Sequence, residues 1–152
     1  MTMTTDTQTR TDDVAVTVRF GVTVDNNSLG TFNSCEGLGF EIVMEQREEG
    51  GNNGLVWQLP SRIKYSNVKL TRPIGSDSYA LTTWMAKAVR SFEPTTAVIQ
   101  AMTAEGAVIA QWELQGVVPV RWTGPSLNPE TAKVATETLE LAHHGIDSIE
   151  QV

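Results

Sequence analysis

The chain has 152 residues, 40% of them hydrophobic and 19% charged, with a formal net charge of -7. That is the composition of one globular domain with a real core rather than of a disordered chain. The negative charge argues against a tight outer grip on a nucleic-acid backbone, which needs clustered Lys and Arg. Cys35 is the only cysteine, which excludes an internal disulfide.

Residues 1–13, MTMTTDTQTRTDD, are rich in Thr and Asp and lack periodicity. They read as a flexible N-terminal arm, which leaves 14–152 as a single domain. The arm has no apolar run of the kind a secretory signal needs, and no later segment approaches the ~20 apolar residues of a membrane helix. Assembly in the cytoplasm is the expectation.

From Val14 the chain alternates. Val14, Val16, Val18, Phe20, Val22 and Val24 occupy every second position, which predicts a strand with one buried face. Asp25-Asn26-Asn27-Ser28 has turn chemistry, and Leu29 to Asn33 reads as a return strand. Leu38, Phe40, Ile42 and Met44 repeat the alternation, with Gly39, Glu41 and Val43 opposite. An arm, Glu48 to Pro60, follows. It is rich in Gly and Asn yet carries Leu55, Val56 and Trp57. A long unpaired connection in a small domain usually binds something, and apolar residues within it suggest a contact surface. Ile63 and Tyr65, then Val68 and Leu70, alternate again with a phase slip at Ser66-Asn67 that predicts a β-bulge.

Ser76-Asp77 offers an N-cap, and Leu81, Trp84, Met85, Ala88 and Phe92 form a helical stripe. The spacing predicts a helix over Asp77–Phe92, ending before Pro94. Thr96–Met102 and Val108–Val120 predict a hairpin across Ala104-Glu105-Gly106. Val108, Ala110, Trp112, Leu114 and Val118 form one face, with Gln111, Glu113 and Gln115 on the other. Pro119, Pro125 and Pro129 punctuate a loop that includes Trp122. Ala132–Ala142 predicts a last strand, and the residues after Gly145 a short acidic tail. Some six to eight strands and one helix that do not alternate predict a mainly β fold of two packed antiparallel sheets, barrel or sandwich, with one flanking helix.

Candidate chemistry is sparse. Adjacent residues on a strand point to opposite faces, so His143 and His144 are poorly placed to share a metal and read as surface residues. Cys35 reads as structural. Glu41, Glu45, Glu113 and Glu137 show no spacing that singles out a catalytic pair, and read as solvated strand positions. The glycines at 50, 51 and 54 lack the Lys and helix of a phosphate loop. Arg62, Lys64, Lys69 and Arg72 scatter along strands. Trp84 and Trp112 lie on apolar stripes and read as core, whereas Trp57 and Trp122 lie in loops. No catalytic, metal-binding or cofactor-binding set emerges, and the chain does not read as an enzyme.

In this order, four stretches carry a resemblance that extends from Val14 to about Ile146: FNSCEGLGFEIVMEQREEGGNNG, LPSRIKYSNVKLTRPI, the helix with LTTWM, and WTGPSLNPETAKVATETLELAHHGI. The chain resembles the tail tube proteins of contractile phage tails and phage-tail-like injection systems. The resemblance implies hexameric rings whose sheets join around a channel, rings stacked into a tube inside a contractile sheath, and no catalysis. It implies as partners further copies of the chain, a sheath protein, baseplate or hub and terminator proteins, and cargo or DNA in the lumen. Assembly is then expected in the bacterial host cytoplasm, with no cofactor and no membrane insertion. The arm residues Glu48, Glu49, Asn52, Asn53, Leu55, Val56, Trp57 and Pro60 become candidates for contacts between subunits and rings. Arg19, Gln111, Glu113 and Gln115 become candidates for the channel wall, and Lys87 and Arg90 for the sheath. The alternatives are a tube-initiator paralogue at the baseplate, and a ligand-binding or effector β-barrel, which needs a convergent polar pocket that the sequence does not display.

Overall fold

A computed structural model describes residues 19–48, 50–51, 54, 56–130 and 134–148. Ten strands and one helix appear among them. β1 (Arg19–Val24) and β2 (Asn27–Phe32) form a hairpin, followed by a short β3 (Ser34–Glu36). β4 (Phe40–Glu48) and β5 (Val56–Tyr65) form a second hairpin, and β6 (Val68–Pro73) leads into α1 (Ser78–Ser91). β7 (Thr95–Met102), β8 (Val108–Thr123), β9 (Thr136–Ala142) and β10 (Gly145–Ser148) complete the order.

Two antiparallel layers share β8. Its first half pairs with β7, which continues to β1 and β2, and β10 pairs on the other side. Its second half pairs with β9, which continues to β6 and β3. Val22, Val24, Ile99 and Leu114 from one layer meet Val68, Leu70, Leu139 and Leu141 from the other in one buried core. The layers form a sandwich, and no barrel closes among the described residues. The alternation of β1 holds as predicted at Val22 and Val24; Val14, Val16, Val18 and the predicted arm of residues 1–13 lie outside the described residues.

Gly116 explains how one strand serves both layers. Its φ of 61° lies in the left-handed region, and the β7–β8 register shifts beside it. A Cβ there would stand 2.8 Å from the His144 ring, so glycine is the residue that fits. The bulge changes the phase of β8, so that Val117 is buried where the alternation predicted Val118. The strand also runs on through the predicted proline loop to Thr123. Pro119 is tolerated because this half of β8 pairs with β9 on one side only.

Further expectations change for equally local reasons. The phase slip at Ser66-Asn67 is the point where the chain leaves one sheet for another rather than a bulge; the irregularity lies inside the β4–β5 hairpin, between Ile42 and Met44. The predicted last strand is shorter, and the supposed acidic tail pairs with β8 as β10. The helix runs over Ser78–Ser91 and stops at Phe92, whose φ of 47° ends it and whose N–H donates to the Ala88 carbonyl. Leu81 is buried, and Trp84 and Met85 pack on the core, but Phe92 turns outward. Asp77 makes no capping bond with its side chain.

Glu137, read from the sequence as a solvated strand position, is buried, and so is Arg72. Arg72 and Glu137 face each other across β6 and β9, 2.7 Å apart, with Glu137 only 1% exposed. Arg72 also donates to the carbonyls of Leu29 and Asp77 and lies over the Phe32 ring, 4.2 Å from its centroid. Glu137 accepts from Ser78 Oγ at 2.8 Å and from Trp122 Nε1 at 3.2 Å. Burial pushes the Glu137 carboxyl up, but the hydrogen bonds from Arg72, Ser78 and Trp122 outweigh it and hold the group below its ordinary value. The pair pins the start of α1 to both layers. His143 is likewise buried, at 6% exposure, while His144 faces solvent.

Candidate assembly surface

The predicted arm is mostly paired. Glu48 opposes Val56, Arg47 opposes Trp57 and Met44 opposes Pro60, so the unpaired connection shrinks to the tip of a hairpin. Gly51 and Gly54 belong to that tip, where positive φ is needed: Gly51 has φ 109° and Gly54 φ 157°. Of the candidate arm residues, Glu48, Val56, Trp57 and Pro60 lie on β4 and β5. Glu49, Asn52, Asn53 and Leu55 lie outside the described residues.

The hairpin forms a two-stranded sheet of its own and joins neither layer. None of its residues on β4 or β5 is buried. Directly opposed residues of an antiparallel pair share a face. Phe40 with Tyr65, Ile42 with Ile63, and Met44 with Pro60 therefore line one face, at every second position of β4. Phe40 is 62% exposed and Ile63 53%. Arg47 with Trp57 and Glu45 with Leu59 lie on the other face, where Trp57 is 50% exposed. An isolated two-stranded hairpin is at best marginally stable in water, and an uncovered row of apolar residues makes this face a candidate contact surface. The sequence showed the apolar residues of this face but not that β5 would set them opposite those of β4.

The channel-wall candidates are brought together. Gln100 opposes Gln111, Val98 opposes both Thr23 and Glu113, and Gly21 opposes Gln100. Arg19, Gln111, Glu113 and Gln115 therefore share the face of the first layer that points away from the core. Hydrogen bonds knit that face: Gln100 Nε2 donates to Gln111 Oε1 at 2.7 Å, and Gln115 Nε2 to Glu113 Oε1 at 3.1 Å. Arg19 donates to the Ala104 carbonyl at 3.0 Å. Lys87 and Arg90, the candidates for the sheath, are exposed on α1. A groove of about 720 Å³ runs beside the helix, lined by residues such as Leu29, Tyr79, Trp84 and Phe92.

Among the described residues no group of three or more His, Cys, Asp or Glu could hold a metal ion. Cys35 packs against the core, and burial pushes its thiol up to about 11, so it is a poor nucleophile at neutral pH. Among the described residues no helix is long and apolar enough to cross a membrane.

Residues 16–147 match the family model of the T4-like virus tail tube protein gp19. Among solved structures, the chain is similar to one from the sheath-tube complex of an extracellular contractile injection system, PVC, in its extended state. The two share 19% identity over 97% of this chain and 99% of that one, with a TM-score of 0.76. A chain of the anti-feeding prophage baseplate gives 24% identity, coverage of 89% and 95%, and a TM-score of 0.72. One from the tube-terminating cap of the anti-feeding prophage gives 20% identity, coverage of 95% and 99%, and a TM-score of 0.70. No curated protein sequence matches.

Proposed function

We propose that this chain, which belongs to the T4-like virus tail tube protein family, builds the inner tube of a contractile injection system or phage tail. Six copies form a ring, and rings stack around a channel. The observation that carries this reading is the β4–β5 hairpin, which presents Phe40, Ile42, Met44, Ile63 and Pro60 on one uncovered face. A hairpin of this kind gains its stability when another subunit covers it. The same patch cannot cover itself around a closed ring unless it meets a different surface of the next copy, which is the head-to-tail contact from which rings and filaments grow.

In this reading the polar face with Arg19, Gln111, Glu113 and Gln115 lines the channel, and its internal hydrogen bonds leave few groups free to hold passing cargo. Edge strands β2 and β10 meet neighbours within the ring, which removes exposed sheet edges. Lys87 and Arg90 on α1 face the sheath. The role is structural; among the described residues no group of His, Cys, Asp or Glu forms a metal-binding cluster that would call for another. Assembly takes place in the host cytoplasm before the particle acts. Negative-stain microscopy of the purified protein tests the proposal: rings or stacked tubes support it, and a dispersed monomer at high concentration refutes it.

A second reading is favoured by the similarity to baseplate and cap chains. Here the same fold starts or ends the tube rather than building its length. Copy number in purified particles separates the two, with a single ring for an initiator or terminator and many for the tube.

A further inference from the structure

The β4–β5 hairpin is a lever. From the Phe40–Tyr65 pair to the Glu48–Val56 pair it runs nine residues of β4, or about 27 Å at ~3.4 Å per residue. A rotation of about 10° at its root moves the tip by about 5 Å, more than a packed contact tolerates. A hairpin that joins neither layer therefore needs something at its root to hold its angle.

The root is built from few groups. The two legs cross at Gly37 and Asn67, where Gly37 has φ 89° and a Cβ would collide with the Asn67 carbonyl. Asn67 Nδ2 donates to Glu140 Oε1 at 3.1 Å. Ser66 lies between β5 and β6, at the point where the chain changes sheet. His143, at the end of β9, reaches it: Nε2 lies 3.0 Å from the Ser66 carbonyl, and Nδ1 3.2 Å from the Gly145 carbonyl. The ring lies 5.3 Å from that of Tyr65, which in turn lies 6.4 Å from Phe40. His143 is thus a buried polar side chain placed where the β5 leg of the hairpin meets the body.

We infer that His143 is a positioning residue that sets the projection angle of the hairpin, through an Nε2–H that donates to the Ser66 carbonyl. Both ring nitrogens face carbonyl oxygens, which only accept, so the protonated nitrogen is the one that donates, and the Gln and Asn variants below distinguish the two. The tilted ring contact with Tyr65 fills space, and the hydrogen bond fixes direction, because a directed N–H···O contact weakens steeply as it bends whereas tilted rings slide. Buried within the subunit, His143 acts through the backbone at Ser66. The consequence for assembly rests on the reading of the hairpin as a contact between copies.

The test separates the two ideas. Full-length chains carrying Cys35→Ala, Gln46→Cys and Thr82→Cys are spin-labelled at the exposed hairpin and helix positions, and the distance distribution is measured on dilute, unpolymerised subunits. His143→Gln keeps a donor at the Nε2 position and preserves the narrow wild-type distribution. His143→Phe keeps the ring but no donor; its distribution broadens or shifts by about 5 Å, and its polymerisation slows by an order of magnitude or more. A wild-type distribution in His143→Phe overturns the inference. So does preservation by His143→Asn, which mimics Nδ1, where His143→Gln fails. Should His143→Phe not fold, the Gln and Asn variants decide by themselves. A broadened distribution with unchanged tube growth upholds the positioning role and sinks the assembly reading of the hairpin instead.

Discussion

Replacing Ile42 and Ile63 together by serine strikes the apolar face of the hairpin and leaves the core alone. The two residues oppose each other and are 46% and 53% exposed in the subunit. Full burial of an isoleucine side chain is worth about 1.5–3 kcal/mol, so covering the exposed half of each contributes about 1 kcal/mol, and the pair about 2 kcal/mol per contact. At 1.4 kcal/mol per tenfold, losing that raises the critical concentration for polymerisation roughly 25-fold. Any void left at the covered face pushes the value higher. The assay is sedimentation of polymer against total protein over a concentration series, with the thermal midpoint of the subunit as control. That midpoint stays within a few degrees, since neither residue belongs to the buried core. A critical concentration within threefold of wild type would refute the claim that this face is buried between copies.

Other outcomes follow from the body of the subunit. Glu137→Ala leaves Arg72 charged and buried without its partner and costs about 3–5 kcal/mol in urea unfolding, whereas exchanging both residues for apolar ones of similar volume recovers most of the loss. Glu137 has its folded-state value depressed below the ordinary ~4.3, so its contribution is fully present above that value and is lost as pH falls through the folded one. Acid unfolding of wild type is then steeper below about pH 4 than that of Glu137→Gln, and equal slopes in the two proteins refute this. Gly116→Ala forces a side chain into the left-handed region and against His144. It lowers stability by about 1–2 kcal/mol, and the midpoint by about 2–8 °C, in a calorimetric scan.

What the sequence revealed, and what it hid, divides along sequence distance. The alternation of Phe20, Val22 and Val24 and the helix that stops short of Pro94 were legible because each depends on neighbours a few residues away. The apolar set Phe40, Ile42, Met44, Ile63 was legible as residues, but the Gly- and Asn-rich sequence between them disguised the strand pairing that aligns it. Arg72 and Glu137 were not legible, since they lie 65 residues apart and meet only through the β6–β9 register. A buried charge carries no local mark. His143 was misread for the same reason: its partner Ser66 is 77 residues away. Gly116 left the one signal that could have been used, a glycine inside an otherwise alternating strand.

The bend in β8 has a mechanical meaning. Sixteen residues run without a break from one layer into the other. In most sandwiches the layers are joined by loops, which stretch, and by side-chain packing, which shears. Here a force that enters through β7 or β10 reaches β9 and β6 along a single covalent backbone. Sliding one layer over the other requires breaking ladder hydrogen bonds on both sides of Gly116 at once, so the two layers resist shear as one unit.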